Sequence, residues 1–244
     1  MQTTGNTILI TGGTSGLGLA FAEEFLKRGN KVIICGRRKD RLGALQKTHP
    51  GLAAIECDIA DEKQREMLAE KVIREFPGVN MLMNNAGVQL AVDLTSPVKA
   101  ERIRAEIETN LVAPIHLATL FVKHLASQSN PAILTVSSGL AFCPIAFMPI
   151  YCATKAAIHS YCLSLRYQMR NTPVKIFEII PPSVDTELGH ERRTDKTQTH
   201  GGMPVAAFLS EAMEAIENDL LEAPVADAKG LRSKGEAMFP VMNR

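Results

Sequence analysis

Three side chains in the second half of the sequence have the types and spacing for proton-transfer chemistry. Tyr151 and Lys155 are four residues apart in a segment with helical periodicity, so both side chains lie on one helix face. A phenol with a pKa of about 10 is a poor base at neutral pH, and a neighbouring ammonium group favours its ionised form. Ser138 follows an apolar run, where its hydroxyl can hold a substrate oxygen. Taken alone, however, a Tyr-x-x-x-Lys pair is usually an ordinary surface pair.

A glycine-rich segment near the N-terminus has the composition of a phosphate-binding turn. Residues 11–18 read TGGTSGLG and lie between a short apolar run and a helical segment. Glycines let the backbone approach a pyrophosphate closely, and the first amides of the next helix point at its negative charge. The spacing is GxxxGxG rather than the better-known GxGxxG. Glycines also serve turn geometry alone, but the position in the first strand–helix unit favours nucleotide binding.

The end of the second apolar run indicates which dinucleotide would bind. An NAD site generally places an acidic residue about 20 residues beyond the turn, to bind the ribose 2′-hydroxyl. Residues 35–39 instead read CGRRK. A guanidinium binds a 2′-phosphate that a carboxylate would repel. We therefore expect NADP(H) rather than NAD(H), with Arg37 on the phosphate and Arg38 stacking on adenine or sharing the phosphate. The alternative is a surface pair that opens a helix with Asp40.

These residues would be positioned by an alternation of short apolar runs and helical segments. Six runs, at residues 7–10, 32–35, 54–57, 81–83, 132–136 and 174–180, read as strands. Several are apolar throughout, as parallel strands covered on both faces are. The largest helix candidates are residues 97–127 and 150–170. The order predicts a single α/β domain over residues 1–244, a Rossmann-like doubly wound parallel sheet with helices on both faces.

The composition argues against several other classes of protein. A formal net charge of +1 gives no reason to expect a nucleic-acid partner. No apolar stretch approaches the roughly 18 residues of a membrane span, and no signal-peptide pattern is present, so we expect a cytoplasmic protein. The five cysteines are scattered, without Cys-x-x-Cys spacing or a nearby histidine. We therefore expect neither a disulfide nor a metal site.

Two segments have both a functional and a purely structural interpretation. Residues 190–202 read HERRTDKTQTHGG, which is typical of a solvated loop and equally of a lid, and we place a candidate substrate lid at about residues 187–215. Between Ser138 and Tyr151, apolar side chains form either one wall of a substrate pocket or a packed loop. They are Leu140, Phe142, Ile145, Phe147 and Met148. The substrate itself cannot be deduced from these residues.

Taken together, the motifs resemble those of the short-chain dehydrogenase/reductase family. The glycine turn, the sequence NNAG at residues 84–87, Asn110, Ser138 and Tyr151-x-x-x-Lys155 occur in the family's order and approximate spacing, over about residues 7–188. Residues 84–89 and 180–188 are most similar to DltE-like members. Each element alone is weak, but the joint match is highly specific.

The resemblance implies an oxidoreductase that interconverts a carbonyl and an alcohol of a small molecule. Tyr151 would be the acid/base, and Lys155 would lower its pKa and bind the nicotinamide ribose. Ser138 would orient the substrate oxygen; it has the family's spacing to Tyr151, which Ser137 lacks. Asn110 would hold a water that relays protons from Lys155. The alternative from a different class is an NADP-binding regulatory or scaffold protein with little turnover.

The resemblance also assigns the cofactor contacts. Asp58 would accept from the adenine amino group, Asn85 and Ala86 would line the adenosine ribose, and Thr186 would contact the carboxamide. The complete expected set is Gly12, Thr14, Ser15, Gly16, Leu17, Gly18, Arg37, Arg38, Asp58, Ile59, Asn85, Ala86, Gly87, Tyr151, Lys155, Pro181, Val184 and Thr186. Where the family usually has Pro-Gly after the sixth strand, this chain has Pro181-Pro182, so the following loop could run differently.

Quaternary structure is a further expectation from the resemblance. The long helices at about 97–127 and 150–170 pair between subunits in relatives, which implies a homodimer or homotetramer. The tail at residues 238–242, MFPVM, is apolar for the end of a chain and could pack into such an interface.

Overall fold

The protein is built on one parallel β-sheet. A computed structural model describes residues 1–189 and 201–243. The strands are β1 (Thr7–Thr11), β2 (Lys31–Gly36), β3 (Leu52–Glu56), β4 (Met81–Asn84), β5 (Ala132–Val136), β6 (Lys175–Ile180) and β7 (Glu222–Pro224). Their spatial order is β3-β2-β1-β4-β5-β6-β7. The predicted doubly wound α/β fold is therefore confirmed. The sequence prediction missed β7, whose three residues, EAP, form no apolar run.

The strand order reverses between β1 and β4, and this reversal determines where a ligand can bind. The chain runs from β1 outward to β3, returns to β4 beside β1, and then proceeds to the opposite edge. Loops after β1 and β4 consequently leave the sheet in different directions. Such a switch point opens a crevice at the carboxyl ends of the strands, where ligands bind in open α/β sheets.

Helices cover both faces of the sheet. They are α1 (Gly16–Lys27), α2 (Lys39–Thr48), α3 (Glu62–Glu75), α4 (Ala100–Ile107), α5 (Ala113–Leu125), α6 (Pro149–Met169), α7 (Val205–Glu217), α8 (Ala228–Lys234) and α9 (Phe239–Met242). The helix predicted at 97–127 is in fact α4 and α5, joined by a π-helical turn at Glu108–Val112. None of the helices in the described residues is long and apolar enough to cross a membrane.

The strand side chains alternate between two hydrophobic cores. In β1, Ile8 and Ile10 face the core formed with α1 and α7, whereas Leu9 faces the core formed with α3, α5 and α6. All three side chains are fully buried. Because each face of the sheet carries its own core, the central strands are apolar at consecutive positions rather than at alternate ones.

The lid predicted over residues 187–215 falls on three different parts of the chain. Residues 187–189 are described, residues 190–200 lie outside the described residues, and residues from Val205 onward form α7. Phe208 in α7 is fully buried, and its ring packs edge-on against Phe21 of α1 at 6.0 Å between centroids. The helical part of the predicted segment therefore belongs to the hydrophobic core, and any lid ends before it.

Candidate active site

A cavity of about 810 Å³ lies at the carboxyl ends of the central strands. It is bounded by the glycine turn after β1, the loops after β2 to β5, the start of α6 and residues 181–189. All residues predicted for cofactor binding or catalysis line it, except Gly18 and Asn110. The structure thus brings together side chains that are separated by more than half of the chain. A volume of this size is typical of ligand sites.

The glycine turn is shaped by close contacts with the loop after β4. Gly12 has a φ of +67°, which favours glycine, and a Cβ there would lie 2.8 Å from the Cα of Ala86. A Cβ at Gly18 would lie 2.4 Å from Nδ2 of Asn85. Gly18 was predicted to bind the cofactor, but its position allows the turn and the neighbouring loop to pack. Earlier residues of the turn line the cavity, whereas Gly18 does not.

Thr11 and Asn85 tie these two loops together. The backbone amides of Asn85 and Ala86 both donate to Oγ1 of Thr11 at 3.1 Å. The Asn85 side chain donates to the carbonyl oxygen of Thr11 at 2.9 Å. The amide group of Asn85 is thus used to hold the protein backbone, while the residue itself still lines the cavity.

Tyr151 and Lys155 form the wall of the cavity at the first turns of α6. Each is only 5% exposed, and Nζ of Lys155 lies 5.6 Å from the centre of the Tyr151 ring. Nζ also donates a hydrogen bond of 2.8 Å to the carbonyl oxygen of Val136, at the end of β5. Burial lowers the pKa of Lys155 to about 8, because the ammonium form is poorly solvated there. At pH values below 8 the side chain is still an ammonium group, and its hydrogen bond to Val136 holds it beside the phenol ring.

The two serines after β5 have different environments. The Ser137 hydroxyl donates to the carbonyl oxygen of Ile179 at 3.5 Å, towards β6. Ser138 caps a short 3₁₀ turn, and its hydroxyl oxygen accepts from the amide of Leu140 at 3.1 Å. That bond leaves the Ser138 proton and its second lone pair able to meet a ligand. Both residues line the cavity.

Asn110 lies behind the cavity, inside the π-helical turn, and is 2% exposed. Its Oδ1 accepts from the amide of Val88, and its Nδ2 donates to the carbonyl oxygen of the same residue, both at 2.8 Å. Nδ2 also reaches Oγ1 of Thr154 on α6 at 3.2 Å. Asn110 therefore connects the loop after β4 to the helix that carries Tyr151 and Lys155.

The two arginines after β2 differ in their contacts. Arg38 donates to Oγ1 of Thr14 from Nε at 3.1 Å and from NH2 at 2.7 Å, and to Oγ of Ser15 at 2.6 Å. The side chain of Arg37 is 65% exposed and lies 3.9 Å from the Asp58 carboxylate. Arg37 was expected to be the main phosphate ligand, whereas it is Arg38 that lies against the glycine turn.

A carboxylate that was not predicted from the sequence also contacts Arg38. Glu187 accepts from NH1 of Arg38 at 3.0 Å and, with both oxygens, from NH1 of Arg41 at 2.8 and 2.9 Å. The three-residue spacing of the arginines, on one helix face, was the available signal for Arg41. Nothing local marks Glu187, which is 149 positions from Arg38.

The family follows from the sequence over most of the chain. Residues 6–197 match the sequence model described as short chain dehydrogenase. The chain belongs to this family. Membership agrees with the parallel sheet and with the location of the cavity at the strand-order reversal.

This short-chain dehydrogenase is also similar to individual members of the family. It is 41% identical to an uncharacterized oxidoreductase, DltE of Bacillus subtilis (strain 168), over 100% of this chain and 98% of that protein. A short-chain dehydrogenase from Sphingobium yanoikuyae in complex with NADPH superposes with a TM-score of 0.81 at 26% identity, covering 93% of this chain and 92% of the other. A Burkholderia phymatum relative in complex with NAD has a TM-score of 0.84 at 20% identity, covering 100% and 97%, and shares the fold. The DltE resemblance is thus confirmed.

The Pro181-Pro182 pair does not move the next loop away from the cavity in this short-chain dehydrogenase. The Pro181 carbonyl oxygen accepts from the amide of Gly139 at 2.9 Å. A Cβ added to Gly16 would lie 3.4 Å from the Cβ of Thr186, so Thr186 reaches the glycine turn. Backbone bonds between residues 183–185 and Met203 join the segment after β6 to the residues that precede α7.

The far end of the cavity is apolar, and the C-terminal tail contributes to it. Four of the five predicted wall residues line it, namely Leu140, Ile145, Phe147 and Met148. Phe142 instead packs its ring on His159 at 4.6 Å between centroids. Met242 of α9 lines the cavity and packs against the small apolar cluster of Ile145, Met148, Tyr151 and Cys152. The tail, which we expected in a subunit interface, thus packs partly on its own chain, while Phe239 and Val241 remain exposed.

Proposed function

We propose that this short-chain dehydrogenase is an NADP(H)-dependent oxidoreductase that interconverts a carbonyl and an alcohol of a small molecule, with Tyr151 as the acid/base. The observation that carries this proposal is the buried Lys155 ammonium, 5.6 Å from the Tyr151 ring at the wall of the cavity. Burial of a cation costs stability, so a buried ammonium group beside a phenol is typical of a functional group that tunes its neighbour.

The residues present fit a dinucleotide phosphate. Gly12 and Gly16 have positive φ, which shapes the turn between β1 and α1, and the first amides of α1 favour an anion. Arg37 and Arg38 supply positive charge just after β2, and residues 35–39 include no acidic residue of the kind that binds the ribose of NAD. One structural neighbour is in complex with NADPH and another with NAD, so the family alone does not select between the two cofactors. The support for NADP(H) comes from the two arginines. When bound, the cofactor would supply or accept the hydride.

Each catalytic side chain has a distinct part in the proton chemistry. Tyr151 donates its phenolic proton to the substrate oxygen during reduction and takes it back during oxidation. Ser138 orients that oxygen by hydrogen bonding. Lys155, with a pKa of about 8, stabilises the phenolate and exchanges protons near neutral pH. Asn110 is hydrogen-bonded to the loop after β4 and to α6. It supports the water-mediated route by which protons pass between Lys155 and solvent.

A binding protein without turnover is the second candidate. It would keep the glycine turn and the arginines but would not need a tyrosine beside a buried ammonium. Turnover separates the two candidates directly.

Two further features bear on the substrate and on the assembly. The apolar wall near Tyr151 supports a substrate with an apolar portion. The exposed Leu163 and Tyr167 on α6 support a homodimer or homotetramer.

The decisive experiment is oxidation of NADPH across a panel of aldehydes and ketones, with Tyr151→Phe as the test variant. Because phenylalanine keeps the ring and removes the acid, kcat should fall about 10²–10⁴-fold while NADPH still binds. Tyr167→Phe is the matched control, since this tyrosine is on the same helix but 67% exposed. Wild-type turnover by Tyr151→Phe would refute the proposed mechanism. NADPH binding with no turnover of any carbonyl would favour the binding protein.

A further inference from the structure

Glu187 is paired with two arginine side chains, and all three groups remain partly exposed to solvent. Its carboxylate accepts from NH1 of Arg38 and from NH1 of Arg41, and all three side chains are about 40% exposed. Partial burial raises the pKa of the Glu187 carboxyl, but the hydrogen bonds from Arg41 and Arg38 outweigh this, so that its pKa lies below the usual range. The carboxylate is therefore ionised throughout the physiological range.

This ion pair is joined to the cofactor cradle through Arg38. The same guanidinium group that meets Glu187 also donates to the hydroxyls of Thr14 and Ser15 in the glycine turn. Glu187 itself lines the cavity, directly after Thr186. In such folds the adenosine ribose of a dinucleotide lies beside the end of the second strand. The Glu187 carboxylate, bonded to Arg38 just after β2 and to Arg41 in α2, lies near the same strand end.

We propose that Glu187 is an internal competitor for the 2′-phosphate of NADP(H), and that Arg41 binds this phosphate together with Arg38. The inference rests on the proposed function, because it assumes that the cavity binds a nicotinamide dinucleotide. It assigns cofactor selection to a triad of Arg38, Arg41 and Glu187, in which the exposed Arg37 has a smaller part.

The exchange of Glu187 for a phosphate is favourable on elementary grounds. A phosphate monoester carries nearly two negative charges and three acceptor oxygens, so it is a stronger partner for two guanidiniums than one carboxylate. The displaced carboxylate is already 41% exposed and can be hydrated in water. An exposed ion pair contributes little stability, so little is lost when it opens. NAD(H) lacks the phosphate and leaves the pair closed.

Removing the competitor should therefore sharpen the selectivity for NADPH. Glu187→Gln keeps the shape of the side chain and removes its charge. We expect NADPH to bind about two- to fivefold more tightly, with a corresponding rise in the ratio of the NADH to the NADPH dissociation constant. Arg41→Met should lower the same ratio about tenfold, since a charge-assisted hydrogen bond is lost. Titration calorimetry measures each constant.

The controls separate this inference from the proposed function. Glu217→Gln is the matched variant, because Glu217 is a similarly exposed carboxylate paired with Arg28, away from the cavity, and its ratio should equal that of the wild type. Adenosine 2′,5′-diphosphate and ADP are titrated as well, to isolate the adenosine end. Wild-type binding of NADPH with an unchanged ratio in Glu187→Gln and Arg41→Met would overturn the inference alone. Failure of the wild type to bind any nucleotide would overturn the proposed function with it.

Discussion

Lys155, to which we assign a part in the proton chemistry, is a residue that is unfavourable for folding. Its side chain is 95% covered, and its hydrogen bond to Val136 does not replace the hydration of an ammonium group, so its pKa falls to about 8 from the ordinary 10.5. Below pH 8 the residue is charged in the folded and unfolded states, and the folded state bears the full desolvation cost. Between pH 8 and 10.5 only the unfolded state keeps the proton, so the stability of the folded protein rises with pH.

Replacing Lys155 with methionine should consequently stabilise the protein in the absence of cofactor. We expect a gain of up to about 3 kcal/mol in the free energy of unfolding at pH 7, since one pKa unit corresponds to about 1.4 kcal/mol. The gain should shrink towards zero as the pH approaches 10.5. Urea unfolding at pH 7 and 9.5 measures it, with the exposed Lys123→Met as control. A destabilised variant, or a gain independent of pH, would contradict this explanation.

At the scale of elements, α6 is fixed to β6 by a buried polar pair. Nδ1 of His159, one turn beyond Lys155, lies 2.8 Å from Oε2 of Glu178, whose side chain is fully buried. The other oxygen of Glu178 has no hydrogen-bond partner within the described residues. Because α6 also carries Tyr151, the pair links core packing to the helix that lines the cavity.

Breaking this pair from one side should be costly. His159→Leu leaves the buried Glu178 side chain without this hydrogen bond, and we expect the free energy of unfolding to fall by about 1–3 kcal/mol. The double variant His159→Leu/Glu178→Leu removes both polar groups and should lose less than the single variant. Equilibrium unfolding in urea at pH 7 compares them. An equal or larger loss in the double variant would show that the pair itself stabilises the packing.

On the scale of the whole molecule, the middle of the chain and its C-terminal tail meet at one cavity. The loop after β5 and the start of α6 supply one wall, and the C-terminal α9 returns to cover it through Met242. Asn243 secures this return, because its Nδ2 donates to the carbonyl oxygen of Pro144 at 3.1 Å. The tail thus limits the space that is available beside Tyr151.

Shortening Met242 should enlarge the substrate end of the cavity. For Met242→Ala we expect KM for small apolar ketones to rise about three- to tenfold, as one or two methylene contacts are lost, while bulkier ketones are favoured relative to small ones. The test is kcat/KM along a series of ketones of increasing size. Val241→Ala is the control, because Val241 is 50% exposed. An unchanged size preference would show that the tail does not contact substrate.

Much of the fold and the centre of the candidate site could be predicted from the sequence. Strand periodicity, the glycine turn and the Tyr151–Lys155 spacing are local properties, and a parallel sheet brings the carboxyl ends of its strands to one edge. Ser138, Tyr151 and Lys155 therefore converge on one cavity, as expected. Because such predictions depend on local patterns, short or irregular elements were missed. The three residues of β7 and the π-helical turn around Asn110 have no distinctive local pattern.

Tertiary structure alone decided the contacts between distant parts of the chain. It placed Arg38 rather than Arg37 on the glycine turn, and it brought Glu187 to the same arginine across 149 positions. It also assigned α7 to the core and Met242 to the cavity. The physical reason is that periodicity and spacing report which face of an element a side chain occupies. Which other element meets that face is determined by the packing of the whole sheet and its helices.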